Sequence, residues 1–247
     1  MSLILKEIEA NFKAFDADWR SEMSKTATEL AKDNATYLRS YRRIVSLQAW
    51  RAHLESRVSE GSLAFFLEAQ NDALTSHVFA ALGSWRSALK ALRSCIENVC
   101  FCLYYKDHPV ELTLWLAGEH KPTFNELFNY FEHHPRRIKA ASIDAMPLIR
   151  SEYPTLSLAV HASAKAFRMT EDIKSTLLWS DAQDRKGKWQ TRERDVIMAL
   201  NLLLLALFRD DLSGAAAAGL REAVSLAIPA SKYPDIKTHM KVFLRNP

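Results

Sequence analysis

The chain has 247 residues, of which only 6 are glycine, where a usual share of about 7 % would give roughly 17. Glycine supplies the positive-φ positions of hairpin turns and phosphate loops, so its scarcity argues against β-sandwiches, multi-stranded barrels, P-loops and dinucleotide-binding folds. A net charge of +4, with 48 % hydrophobic and 25 % charged residues, describes a well-cored and mildly basic protein; such a charge permits nucleic-acid contact without predicting it.

Apolar residues Ile4, Ile8, Phe12, Phe15, Trp19, Met23, Ala27 and Leu30 recur at steps of three and four, which predicts one long amphipathic helix. Its opening, MSLILKEIEANF, carries no continuous apolar segment and no small-residue cleavage site, so the expected location is cytoplasmic. A second helix reads through Tyr37, Tyr41, Ile44, Leu47, Trp50, Leu54 and Val58. The two are expected to form an antiparallel hairpin over residues 1–60, with Ser59-Glu-Gly-Ser62 as the boundary to a helical core over 61–247. A third helix spans about Leu63 to Leu82 and stops at Gly83; Ser84 then caps a fourth, whose apolar positions are Trp85, Leu89, Leu92, Ile96, Val99 and Leu103. Cys95, Cys100 and Cys102 lie within this helix. An odd, clustered set makes no disulfide framework, and its spacing on a helix does not gather zinc ligands, so these are read as small buried residues in a reducing compartment.

Pro109 suits the first turn of a fifth helix that ends at Gly118, and Thr123-Phe-Asn-Glu126 is a capping box for a sixth over Phe124–His133. From about Ser142 a helix runs to Tyr153, and Pro154 starts or kinks a further segment, Thr155–Phe167. Trp179–Gln190 reads as a charged loop. Thr191 then opens an apolar helix to Leu212, whose most apolar run, Val196–Phe208, is shorter than the ~18 residues of a membrane span. Ala215–Ile228 and Pro234–Leu244 read as closing helices. The expectation is an all-α bundle of about ten helices with no strand.

Two helices carry aligned polar residues. Arg86, Lys90, Arg93 and Glu97 fall at steps of four, three and four; they form either a solvated face or an ion pair turned toward another helix. Ser157, His161, Lys165 and Arg168 form the second stripe, beside the small residues Ala159, Ala162 and Ser163. His77 reads as structural, because Asp72 is placed poorly to share its face. Basic residues cluster at Arg136, Arg137 and Lys139, and again at Arg185, Lys186 and Lys188 with Trp189, Arg192 and Arg194; interleaved aromatic and basic residues suit single-stranded nucleic acid, and a charged surface explains them equally well. Walker, GxSxG, HExxH and CxxC motifs are absent, so no metal and no cofactor is expected.

LRSCIEN (Leu92–Asn98) and YPTLSLAVHAS (Tyr153–Ser163) resemble segments of the HEPN-like superfamily, the higher-eukaryote and prokaryote nucleotide-binding helical proteins, over roughly Leu63–Phe167. That resemblance implies either a metal-independent ribonuclease or an inactive interaction module. Nuclease members carry an arginine separated from a following histidine by four to six intervening residues. Here Pro154, Thr155 and Leu156 stand at those positions before His161, and Arg93, oriented by Glu97, is the candidate replacement. The first expectation is therefore a non-catalytic HEPN-like subunit of a bacterial defence or toxin-type assembly, acting through a partner subunit or as a homodimer. The alternative is an endoribonuclease in which His161 is the general base or acid and Arg93 stabilises the transition state. RNA contacts would then come from Arg136, Arg137, Lys165, Arg168, Arg185, Lys186 and Lys188. Neither reading involves a membrane.

Overall fold

A computed structural model describes residues 2–161, 168–169, 178–212 and 214–245. The described residues form ten α-helices: α1 (Leu3–Ala31), α2 (Asn34–Leu54), α3 (Glu60–Ala81), α4 (Trp85–Asp107), α5 (Pro109–Leu116), α6 (Phe124–His133), α7 (Ala145–His161), α8 (Gln183–Phe208), α9 (Ala218–Ser225) and α10 (Tyr233–Met240). Short 3-10 turns join the last three, and no strand occurs among the described residues.

Helices α3 and α4 are joined by a three-residue turn. Gly83 takes φ +74°, Ser84 N–H donates to the Phe79 carbonyl (2.8 Å) and Gly83 N–H to that of Ala80 (3.0 Å). This two-bond closure satisfies carbonyls that the end of α3 would otherwise leave open. The capping box at Thr123 forms as the sequence predicts, Thr123 accepting from Glu126 N–H while Glu126 accepts from Thr123 N–H. Helix α4 packs against α3, α7 and α8, and buries all three cysteines. On α8 every residue from Val196 to Phe208 is buried, the signature of a helix surrounded by others. The one polar residue in that run, Asn201, is fully bonded: it accepts from Trp50 Nε1 (2.9 Å) and donates to Ser46 Oγ and the Ile197 carbonyl (both 2.8 Å). No described helix is long and apolar enough to cross a membrane.

Four sequence expectations are corrected. Helix α2 does not pair along α1: it lies against α3, α8 and α9, while α1 touches α3 through its C-terminal end, where Thr26 and Leu30 are buried. The buried hydrophobic cluster includes residues on both sides of residue 60, and Ser59 is the N-cap of α3, accepting from Ser62 N–H (3.3 Å). Helix α7 passes through Pro154 unbroken, with the Thr155 and Ser157 hydroxyls donating to the Ser151 and Tyr153 carbonyls around it; the rest of the expected segment, 162–167, lies outside the described residues. Helix α8 begins at Gln183, not Thr191. Its charged first turns carry an Asp184–Lys188 pair (3.0 Å), and the fully buried Trp189, whose Nε1 donates to Ser76 Oγ (3.0 Å), fixes them to the body. Finally, the two closing helices are shorter than their apolar patterns: Ser225 ends α9, and Lys241, at φ 60°, ends α10.

Candidate functional site

Helices α4 and α7 run antiparallel, with Arg86 opposite the end of α7 and Glu97 opposite its middle. Between them Arg93, Glu97, Tyr153 and Ser157 close a ring of hydrogen bonds. Arg93 donates through Nε to Ser157 Oγ (3.0 Å) and through Nη2 to Tyr153 Oη (2.7 Å), and Nη2 lies 2.7 Å from Glu97 Oε1. Tyr153 Oη in turn donates to Glu97 Oε1 at 2.8 Å. Both charged side chains are about three-quarters buried, at 24 % and 22 % exposure, so the pair faces a neighbouring helix. The Tyr153 ring is fixed from the other side by Phe124, stacked at 3.8 Å between centroids, and Arg93 lies over the same ring at 5.0 Å. Burial, with Glu97 adding to it, pushes the Tyr153 hydroxyl up to about 12, so it stays protonated and remains a donor. Sequence reasoning found Arg93 and Glu97 and missed their partners. The available signal was spacing: Tyr153 and Ser157 are four residues apart, as Arg93 and Glu97 are.

His161 lies one turn beyond Ser157 and is exposed. Among the described residues no side chain hydrogen-bonds to it, and Arg93 is bonded to Ser157 and Tyr153 instead. Just before it in the chain, the Ala159 (2.9 Å) and Val160 (3.0 Å) carbonyls accept from Arg86. A guanidinium there complements the negative end of the α7 dipole. Lys165, with Ala162 and Ser163, lies outside the described residues.

The basic residues nominated from the sequence separate into two groups. Arg168, Arg185 and Lys188 share a small pocket with Arg86, floored by Trp85, Leu89 and Met169. Lys186 turns aside to pair with Asp33 (2.8 Å). Arg136 and Arg137 are instead structural clamps: Arg136 donates to the Leu207 carbonyl (2.7 Å) and pairs with Asp210 (2.9 Å), and Arg137 grips Asp144 (2.6 Å) and the Glu132 carbonyl (2.9 Å). Twenty-two residues of α8 separate Arg185 from Leu207, about 33 Å at 1.5 Å per residue, so the two groups form no single basic stripe.

Other titratable clusters have structural explanations. His77 shares a hydrogen bond with Ser40 Oγ (3.0 Å) and burial pulls its pKa down. His134 faces Asp107 at 3.5 Å, but its second ring nitrogen accepts from Arg136 N–H (3.1 Å), which leaves no nitrogen for proton transfer. Asp72, beside the α4 ring, accepts from Asn98 (2.8 Å), and burial, reinforced by Glu68 and Glu97, pushes its carboxyl up to about 6. Among the described residues no group of three or more His, Cys, Asp or Glu could hold a metal ion. No family model matches the chain, and neither the curated proteins nor the solved structures contain a significant match.

Proposed function

We propose that the chain is a non-catalytic helical subunit that acts through protein contacts. One observation carries this reading: the groups best suited to phosphate chemistry, Arg93 and Glu97, spend their hydrogen bonds on each other and on Tyr153 and Ser157, bracing α4 against α7. A transition-state stabiliser needs donors aimed at an open site where charge develops, and these donors are aimed at protein. The exposed apolar stretch of α1 supports the second half of the reading, since contiguous patches of that kind mark interaction sites. The HEPN resemblance adds the type of assembly, a defence or toxin-type complex.

A metal-independent ribonuclease is the second reading, favoured by the exposed His161, next to the Val160 carbonyl that Arg86 binds, and by the basic pocket that Arg86 shares with Arg168, Arg185 and Lys188. Incubation of the purified chain with single-stranded RNA in EDTA decides between them. The expected result is no cleavage above background and no difference between wild type, His161→Ala and Arg93→Ala. EDTA-resistant cleavage that disappears in His161→Ala overturns the non-catalytic reading.

A further inference from the structure

Helices α2, α3 and α8 meet around one buried carboxylate. Arg43 of α2 donates through Nε (2.9 Å) and Nη2 to Glu193 Oε2 of α8, and the second oxygen, Oε1, is left over. Glu193 is fully buried, so solvent does not compensate that oxygen, and a carboxylate oxygen sealed in this way is costly. The Arg43 guanidinium opposes the effect of burial and favours the ionised form.

Ser40 is the donor placed to reach Oε1. It lies on α2 between Tyr37 and Arg43, three residues from each. Tyr37 stacks on Trp189 of α8 (5.9 Å between centroids), and Arg43 binds Glu193, one turn further along the same helix. Ser40 is fully buried between these two contacts and acts on Glu193 as a hydrogen-bonding neighbour. Its Oγ also lies 3.0 Å from His77 Nδ1 of α3. A hydroxyl has two lone pairs but a single proton, so Ser40 cannot donate to Glu193 and His77 together. If it donates to His77, Oε1 stays bare. If His77 Nδ1 carries a hydrogen and donates to Ser40, the hydroxyl proton is released for Glu193 and all three groups are satisfied. Bonds of this kind decide which nitrogen of a neutral imidazole is protonated.

We infer that His77, Ser40 and Glu193 form a directed relay, in which His77 Nδ1–H donates to Ser40 Oγ, the Ser40 proton is turned to Glu193 Oε1, and His77 Nε2 is the nitrogen that takes up a further proton. The relay ties a proton-uptake site on α3 to the joint between α2 and α8. A proton arriving at Nε2 makes an imidazolium whose bond to Ser40 is charge-assisted and backed by the carboxylate. Burial pulls the His77 pKa down, and the relay works against it. The other groups facing the ring bring no charge. Tyr37 (5.9 Å) and Tyr41 (6.1 Å) of α2 meet it edge-on, and burial pushes the Tyr37 hydroxyl up to about 12. From α8, Trp189 is spent on Ser76 Oγ (3.0 Å). On α3 itself the residues one turn away are Ala73, Leu74, Ala80 and Ala81.

Long-range proton–nitrogen NMR of the isotope-labelled full chain tests this, because the two ring nitrogens of a neutral imidazole resonate apart according to which carries the hydrogen. His77→Gln identifies the His77 signal among the eight histidines. In the wild type, above its titration midpoint, His77 should be in the Nδ1–H form. Ser40→Ala removes the acceptor and should return the ring to the Nε2–H form that an unconstrained histidine prefers, with a midpoint at lower pH. Glu193→Gln turns its amide oxygen to Arg43 and its NH2 to Ser40, which should reverse the chain and give the same change of tautomer. Unchanged helical circular dichroism verifies folding, and the wild-type tautomer is decisive without either variant. An Nε2–H ring in the wild type, which a protonated Glu193 would produce, overturns the inference. So does an Nδ1–H form that persists in Ser40→Ala, or a midpoint that does not move. None of these outcomes touches the non-catalytic reading, which the RNA assay decides.

Discussion

Replacing Arg43 by methionine tests how the core tolerates Glu193, the most deeply enclosed carboxylate among the described residues. Glu193 is 1 % exposed and Arg43 is 10 % exposed. Both Nε (2.9 Å) and Nη2 of Arg43 donate to Glu193 Oε2, while Oε1 has no partner. Burial already raises the Glu193 pKa, with Arg43 opposing it most strongly and Ser40 helping. Methionine keeps the length of the side chain and removes the charge, leaving a buried carboxyl that must either hold a proton or remain unpaired. Breaking such a pair from one side costs about 3–5 kcal/mol, a large share of a total stability of roughly 5–15 kcal/mol. With a urea dependence of about 2–3 kcal/mol per M, the unfolding midpoint should fall by about 1–2 M. The double variant Arg43→Met/Glu193→Leu should recover most of the loss, because no charge is then left behind. The pH dependence has a definite sign. A carboxyl whose folded pKa is raised stabilises most below its unfolded value and loses that contribution as pH rises through the folded value. Without Arg43 the folded pKa rises further, so the deficit of Arg43→Met should be larger at pH 8 than at pH 5. A deficit below about 1 kcal/mol, no difference between the two pH values, or a double variant no better than the single one refutes the reasoning.

Two further outcomes are expected. At Gly83 an added Cβ would lie 2.6 Å from the Ser180 carbonyl oxygen and 2.6 Å from Thr26 Cγ2, at φ +74°, whereas at Gly118, with φ +77°, nothing lies within 4 Å. Gly118→Ala should therefore cost only the left-handed backbone term of about 1–2 kcal/mol, and Gly83→Ala clearly more, read as the gap between their melting temperatures; equal shifts would contradict the close approach of residue 180. Tyr153→Phe removes one hydroxyl that joins Arg93 to Glu97 and should cost about 1–2 kcal/mol in urea unfolding without changing RNA cleavage; an unchanged midpoint would mean that the ring does not brace α4 against α7.

Features governed by near neighbours were legible in the sequence. The capping box at Thr123, the stop at Gly83 and the proline-led start of α5 each depend on a few adjacent residues, and each forms as read. Features set by distant partners were not. The charged stretch before Thr191 reads as a loop because its polar residues show no apolar stripe, yet Trp189 and its bond to Ser76, 113 residues away, draw it into α8. The course of α1 was hidden for a different reason: an apolar stripe has the same period whether a neighbour covers it or not. At the candidate site Arg93 and Glu97 were visible as a spaced pair, but that they are bonded to Tyr153 and Ser157 rather than to His161 depends on the register of α4 against α7, which no local pattern encodes.

The three cysteines on α4 give the fold a built-in reporter. Burial raises all three thiols, Cys102 to about 12 and Cys95 and Cys100 in the same direction, so in the closed protein almost none is present as the reactive thiolate. The helices packed on α4, chiefly α3, α7 and α8, must separate before a water-soluble disulfide reagent can reach them. The labelling rate then measures how often the centre of the molecule opens, so substitutions that loosen α4 can be ranked under native conditions without any denaturant.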